Sequence, residues 1–373
     1  MQEKKRSRLP DLILFAVILT LLGIGIVMVF SSSSVTASKE MGDAYYYLKR
    51  QSIYAAIGLV AMFIAMNINY RFWKKFWFLI LLGVIVLLVL TLIPGVGIVV
   101  GGSRRWLGFG AFRIQPSEFS KIALIIAVSA YLSALGDKVK KFAAGVLVPL
   151  LVTGVVCALV LLEPDFGTAI VILGMVVAML FMAGCNGWHL AGIGGLAVPA
   201  AAYIMISEPY RLKRITAFLN PWQDPLGDGF HIIQSLFALG SGGFFGVGLG
   251  MSRQKFYYLP EQYTDFIFAI IGEELGFLGA IGVVLLYGLL AWRGFRTAIN
   301  CKDKFGSILA SGITSMLVIQ AIINLCVVSG LLPVTGITLP LISSGGSSLI
   351  PMLFSLGILL NISKQSNEER QEG

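Results

Sequence analysis

Apolar residues in this chain gather into ten blocks, near 12–30, 51–68, 77–94, 118–135, 144–162, 168–184, 189–206, 266–290, 306–328 and 348–362. Most run about 17–25 residues, the length a helix needs to cross about 30 Å of hydrocarbon. The pattern predicts an all-α integral membrane protein of about ten transmembrane helices. A further stretch, Ile232 to Gly250, is apolar enough to count as another span, which would flip every later segment. It carries Gln234, Ser241 and glycines at 240, 242, 243, 246, 248 and 250, a composition suited to a re-entrant or interfacial segment buried in protein.

Composition agrees with lipid as the solvent. Of 373 residues, 57% are hydrophobic and 13% charged, against roughly 25% charged in an ordinary soluble domain, and the mean hydropathy is +0.86. The N-terminal Lys4-Lys5-Arg6 and Arg8 before Leu12 imitate a signal peptide, but the apolar run is longer than an h-region of roughly 7–15 residues and reads as the first helix.

Basic residues set the orientation. Lys4 to Arg8, Arg71 with Lys74 and Lys75, Lys138 with Lys140 and Lys141, and Arg293 to Lys304 fall on one side, which the loop-charge rule makes the cytoplasm. Both termini are then cytoplasmic. Pro94 to Ser117, Glu163 to Thr168 and the long segment 207–264 between the seventh and eighth spans face out. The expected layout is a cytoplasmic N-terminus at 1–10, one polytopic membrane domain at 11–362 and a short frayed tail at 363–373.

The net charge of +9 sits in clusters between apolar blocks rather than along one amphipathic face, which points to lipid contact and orientation rather than nucleic acid. Four cysteines and two histidines form neither a disulfide framework nor paired zinc-ligand spacing. A Walker-type phosphate loop is missing as well.

Ionisable residues at membrane depth are costly and mark function, and they concentrate in three places. The first is Ser103-Arg104-Arg105-Trp106 followed by Gln115-Pro116-Ser117-Glu118-Phe119-Ser120-Lys121. Glu118 and Lys121 can pair across one helical turn, either as a structural ion pair or as the wall of a substrate groove. Arg104 and Arg105 suit phosphate. The second is Glu163-Pro164-Asp165, a tight turn in which Asp165 is placed to cap the next helix.

The third is the long segment 207–264 and the helix after it. Arg211, Lys213, Arg214, Arg253, Gln254 and Lys255 interleave with aromatics, ahead of Glu261 and Thr264-Asp265-Phe266. That mixture suits an anionic, partly apolar ligand at the membrane surface, such as a pyrophosphate on a lipid tail. Asp265 stands where loop becomes helix, either as a helix cap or as an ionised carboxylate able to accept a proton. Glu273 and Glu274 lie about 80° and 180° around that helix from Asp265, so Glu274 needs another partner. Ser344 and Ser347, in a Gly/Ser turn before the last helix, offer an anion-binding helix start or a plain turn.

These blocks, in this order, closely resemble the SEDS family of bacterial cell-envelope proteins, nearest its FtsW and SpoVE branch. The resemblance covers about residues 10–362 and is strongest in Gly102 to Lys121, Tyr210 to Gly250, Ser252 to Gly279 and Pro333 to Ser348. It implies a SEDS-type fold and an inverting peptidoglycan glycosyltransferase, a lipid II polymerase in the bacterial cytoplasmic membrane with its active site facing outside. Implied partners are lipid II, a class B penicillin-binding protein transpeptidase and other division or sporulation membrane proteins; nucleic acid is not among them.

By motif, the family's catalytic carboxylate falls on Asp265. Its paired charges fall on Glu118 and Lys121, and its outer-loop residues on Arg211, Arg214, Gln254, Lys255 and Glu261. His231 stands where the family pattern has Gln, and Tyr263 precedes Thr264 where relatives vary. Asp265 would act as general base on the acceptor 4-hydroxyl, with basic residues or a divalent cation, Mg or Mn, neutralising the leaving diphosphate. The alternative functions are a flippase of lipid-linked precursors, which moves substrate without forming a glycosidic bond, and a scaffold indifferent to Asp265.

Overall fold

The computed structural model describes residues 9–100, 102–109, 112–206, 209–227, 229–256 and 259–372. Ten helices overlie the ten apolar blocks: α1 (Leu12–Met41), α2 (Tyr46–Asn67), α3 (Arg71–Leu92), α4 (Pro116–Ala134), α5 (Val148–Leu162), α6 (Phe166–Met182), α7 (Gly187–Ile206), α10 (Ile267–Asn300), α11 (Lys304–Val328) and α12 (Gly346–Glu372). Two shorter helices, α8 (Pro209–Leu219) and α9 (Phe230–Ser241), lie within the long segment. Eight helices are long and apolar enough to cross a membrane among the described residues. α6, with 17 residues, is a shorter apolar helix.

α4, α11 and α12 form the inside: 78%, 72% and 83% of their apolar windows are buried, against 22% for α3 and α10, whose faces are left for lipid. Lipid tails give no hydrophobic drive between helices, so close packing and buried polar bonds hold such a bundle. At one end the chain ties α1, α10 and α12 together. The side chain of Asp11 caps α1, accepting from the N–H groups of Ile13 and Leu14 at 3.1 Å each. It also pairs with Arg293, whose Nε lies 2.7 Å away, while its own N–H donates to Ser363.

Several helices outrun their apolar blocks. α1 continues to Met41 through Ser31, Ser32 and Ser33, all buried; Ser31 donates to the Glu274 carboxylate at 2.6 Å and Ser32 to the Met28 carbonyl at 2.7 Å. α10 reaches Asn300 rather than 290, and α12 continues through the expected frayed tail to Glu372. Apolar patterning measures the hydrocarbon thickness, whereas a helix ends only where its caps and packing end.

The segment 94–117 also departs from the all-α expectation. It forms a small antiparallel sheet of β1 (Gly97–Val100), β2 (Ser103–Phe109) and β3 (Phe112–Ile114) in that order. β2 pairs Leu107 with Ile114 and Phe109 with Phe112. β1 and β3 are short, and the seven residues of β2, Ser103 to Phe109, do not alternate apolar with polar positions, yet β2 is what holds Arg105 at the site described below.

The apolar stretch after His231 is not a full span. α9 has 12 residues, and the chain then folds back against a break in α10. The amides of Phe277 and Leu278 donate to the carbonyls of Gly243 and Phe244 at 2.9 and 3.3 Å, and those of Val247 and Gly248 to Glu273 and Glu274 at 3.0 Å each. Irregular backbone at this depth is tolerated because the two breaks satisfy one another.

The break turns on Gly276, at φ 67° and ψ −166°, where an added Cβ would stand 2.2 Å from the Gly246 nitrogen. Gly276→Ala is therefore expected to cost about 2 kcal/mol from backbone strain alone. The check is the melting temperature of the purified protein, compared with alanine at Gly282, where an added Cβ would meet nothing within 4 Å. Equal melting temperatures would contradict the assignment.

Candidate active site

Opposite the tied termini, four segments converge: β2, the α5–α6 turn, the start of α10, and the loop leading from α11 into α12. Pro116 opens α4 with the fixed φ that suits a first helical position, and Glu118 falls in its positive first turn. Lys121 follows one turn later, its Nζ 2.9 Å from Glu118 Oε2, with both side chains buried. Lys121 also donates to Gln320 Oε1 of α11 at 3.0 Å, and the Gln320 amide donates to the Thr338 carbonyl at 3.1 Å. The expected ion pair is thus one link between α4, α11 and the loop after it.

Across the cleft, Asp165 caps α6 by accepting from the Thr168 amide at 3.0 Å. Its second oxygen accepts from Gln115 at 3.3 Å and lies 3.9 Å from Arg105 Nη1. Arg105 is itself clamped by backbone. Its Nε donates to the Glu163 carbonyl at 2.9 Å and its Nη2 to that of Pro164. The guanidinium is aimed before any anion arrives. Burial pushes the Glu163 carboxyl up to about 7, partly offset by the bond from Thr91.

Two cavities open here. One, of about 330 Å³, is lined by polar groups including Gln115, Glu118, Lys121, Gln320, Ser344 and Ser347. The other, of about 840 Å³, mixes Arg214 and Ser103 with Ile170, Ile215, Ile323 and Leu332. Arg105, Glu261, Asp265 and Gly336 line both. They form a waist, the wall that the two cavities share.

Asp265 does not cap its helix. Phe266 takes the N-cap position of α10 and no side chain caps there, which leaves the Asp265 carboxylate to the waist. Burial pushes its carboxyl up to about 7, with Glu261 and Asp165 raising it further and Arg214 and Arg105 opposing. A carboxylate with that affinity for protons is matched to accepting one near neutrality. The Gly336 backbone lies against it: a Cβ there would stand 3.7 Å from Asp265 Oδ2, and φ is 77°.

Of the residues picked from sequence, Asp265, Arg105, Glu118, Lys121, Glu261, Ser344 and Ser347 line the first cavity, and Arg214 joins Arg105, Glu261 and Asp265 around the second. Arg104 turns away from both and donates to the Leu92 carbonyl at 3.2 Å. The side chain of Arg211 lies outside the described residues.

Gln254 and Lys255 line neither cavity. Lys255 is buried with its Nζ 3.5 Å from Glu274 Oε1. Glu274 also accepts from the Ser31 hydroxyl, 2.6 and 2.8 Å from its two oxygens. Glu273 accepts from the Arg253 amide at 2.8 Å and from the Ser252 hydroxyl. These two carboxylates and Lys255 anchor the folded-back segment to α1 and α10. A buried lysine held this way is a structural cation, because desolvation demands a fixed counter-charge.

Sequence reading missed Gln320 and Asn324, two buried amides one turn apart on α11. A survey of membrane-depth residues that included uncharged amides would have found them. Among the described residues, no group of three or more His, Cys, Asp or Glu is placed to hold a metal ion.

Comparison with known proteins follows the same lines. The family model described as "Cell cycle protein", covering FtsW, RodA and SpoVE, matches residues 11–368. Stage V sporulation protein E of Bacillus subtilis (strain 168) is 49% identical over 98% of this chain and 100% of its own length. A probable peptidoglycan glycosyltransferase FtsW of Geobacter sp. (strain M18) is 46% identical over 94% of this chain and 95% of its own.

Among solved structures, a chain from work on coordinated polymerization and crosslinking by a peptidoglycan synthase complex superposes with a TM-score of 0.78 at 32% identity, covering 96% of this chain and 98% of that one. The rod shape determining protein RodA of Thermus thermophilus gives 0.72 at 29% identity over 95% and 97%. With a family match along almost its whole length and relatives near half-identical end to end, this chain belongs to the FtsW/RodA/SpoVE family of cell cycle proteins.

Proposed function

We propose that this multi-pass membrane protein is a peptidoglycan glycosyltransferase that polymerises lipid II, with Asp265 as its general base. The observation that carries the proposal is the placement of the Asp265 carboxylate at the waist between two cavities. Glycosyl transfer needs an acceptor hydroxyl and a donor anomeric carbon brought together from opposite sides of one proton acceptor. Asp265 takes the proton of the acceptor 4-hydroxyl as its oxygen bonds the donor anomeric carbon. The bond from that carbon to the lipid diphosphate breaks, the electron pair leaves with the diphosphate, and the anomeric configuration inverts.

The larger cavity suits the donor, since Arg105 and Arg214 face a diphosphate while Ile170, Ile215, Ile323 and Leu332 accept the start of a lipid tail. The smaller polar cavity, with Lys121, Gln320 and Ser347, suits the acceptor sugars. Cations fixed in advance stabilise the developing charge without reorganising. Glu261 at the waist fits a divalent ion of the magnesium type, which takes one or two carboxylates and completes its shell with phosphate oxygens and water; such an ion would add charge neutralisation at the diphosphate.

Basic residues at the tied end, including Arg71, Arg293 and Arg296, support a cytoplasmic placement of that end and hence a site on the outer face. The relative described as part of a peptidoglycan synthase complex supports a class B penicillin-binding protein as the crosslinking partner.

Purified protein incubated with lipid II, with and without such a partner, is expected to yield glycan polymer on a gel. Translocation of lipid II in sealed vesicles without polymer would instead identify a flippase. The rate should depend on pH through Asp265, which is inactive as a base when protonated. Activity is expected to fall about tenfold per pH unit below a midpoint near 7. Glu261→Gln removes a charge that raises the carboxyl and should move the midpoint down; Arg214→Gln removes one that lowers it and should move the midpoint up. A flat profile from pH 5 to 8 would exclude Asp265 as the base.

A further inference from the structure

Two sides of the waist are joined by one buried amide. Asn324 of α11, fully inaccessible to solvent, donates from Nδ2 to the Asp265 carbonyl at 2.7 Å and to the Ile337 carbonyl at 2.7 Å. Both of its N–H groups are therefore used, each on a different wall. The orientation of the amide follows from the network, since a flipped side chain would set Oδ1 against two carbonyl oxygens. One turn earlier, Gln320 bonds the Thr338 carbonyl next to Ile337, so α11 holds this loop at two successive residues. Gly336, adjacent to Ile337, closes the waist opposite Asp265.

Helix α10 does not supply what Asn324 supplies. Its first turn uses the Phe266 carbonyl, which accepts from Ala269 at 3.0 Å, and the Asp265 carbonyl lies one residue before it. The neighbouring Thr264 carbonyl is taken by the Ser343 hydroxyl at 2.6 Å. The backbone that carries Asp265 is thus pinned from α11 on one side and from the loop before α12 on the other. The carboxylate itself receives neither of these bonds.

We infer that Asn324 is a positioning residue for glycosyl transfer: its amide fixes the width of the waist by fastening the Asp265 backbone to the Ile337 backbone, so that acceptor and donor meet at the base in register. This inference rests on the proposed role of Asp265. A displacement of about 1 Å at a reacting centre costs roughly 100-fold in rate, and loss of this amide releases both walls at once. The carbonyls it leaves behind would recruit water or drift apart.

The test is steady-state polymerisation of lipid II by the full-length protein carrying Asn324→Ala, Asn324→Gln or Asp265→Asn. Asn324→Ala is expected to lower kcat by about 100-fold with little change in KM, because Asn324 itself lines neither cavity. Its acid limb should also move to lower pH, since water admitted at the waist relieves the burial of Asp265, while Glu261, Asp165, Arg105 and Arg214 keep their charges. Asn324→Gln, which retains both donors on a longer arm, should recover part of the rate.

A purely structural amide would lower the folded fraction and leave both the pH midpoint and the kcat of the remaining folded enzyme unchanged; that result overturns the inference. So does wild-type kcat in Asn324→Ala when Asp265→Asn is inactive, whereas activity in Asp265→Asn overturns the underlying mechanism instead. Should the alanine variant yield no folded protein, Asn324→Ser keeps one donor and is judged on the same readouts.

Discussion

Asp265→Asn is expected to fold, to bind lipid II and to lose about 1,000-fold in polymer formation. A positioned general base contributes roughly 100- to 10,000-fold, and an amide of the same shape cannot accept the hydroxyl proton. Arg105 and Arg214 stay in place around the diphosphate, so KM should change little. The same substitution removes a carboxylate whose ionisation burial disfavours. Above pH 7 the variant should therefore melt no lower than the parent, because the penalty of keeping that group charged is gone. Catalysis lost with stability kept is the signature of a residue held for chemistry. Near-normal polymerisation by a well-folded Asp265→Ala protein would remove Asp265 from the mechanism.

Lys121→Met is expected to have the second-largest effect, this time on the fold. The Lys121 ammonium and the Glu118 carboxylate are 2% and 8% exposed, and the ammonium also satisfies Gln320. Removing one member of a buried pair leaves the other charged without a counter-ion, a loss of about 3–5 kcal/mol, visible as a large drop in melting temperature and in monodisperse yield. Glu118→Gln combined with Lys121→Met leaves no buried charge and should recover most of that loss. Polymerisation should stay impaired in the double variant, because the polar cavity has then lost the Lys121 ammonium and keeps only Arg105 as a cation. Equal melting temperatures for the single and double variants would mean that the pair contributes no net electrostatics to the fold.

The two predictions separate the ionisable residues by job. Asp265, Arg105 and Glu261 line both cavities, and in the proposed mechanism they bear on the reaction. Glu273, Glu274 and Lys255 hold one irregular piece of backbone against another. From spacing alone the groups look alike, since each is a costly charge within or beside an apolar helix. Lys255, in a basic and aromatic segment, reads as a phosphate ligand until its Nζ is found against Glu274. Arg104 and Arg105 are neighbours in sequence, yet alternation along β2 sends one to the Leu92 carbonyl and the other into the cleft. That strand does not alternate apolar with polar positions, so nothing in the sequence could separate them.

The length and spacing of apolar blocks determined the ten helices, because the thickness of hydrocarbon is a single constraint that each span must meet alone. Asp165 as a helix cap and the Glu118–Lys121 pair were legible for a similar reason: both are contacts between near neighbours, fixed by helical geometry. The waist is different. It joins Arg105, the pair Glu261 and Asp265, and Gly336 from three distant segments, fastened by Asn324 of a fourth. Bonds between residues far apart in sequence depend on how helices pack and where backbone breaks, and those are set by shape and mutual satisfaction of polar groups across the whole bundle. Only the tertiary structure decided them.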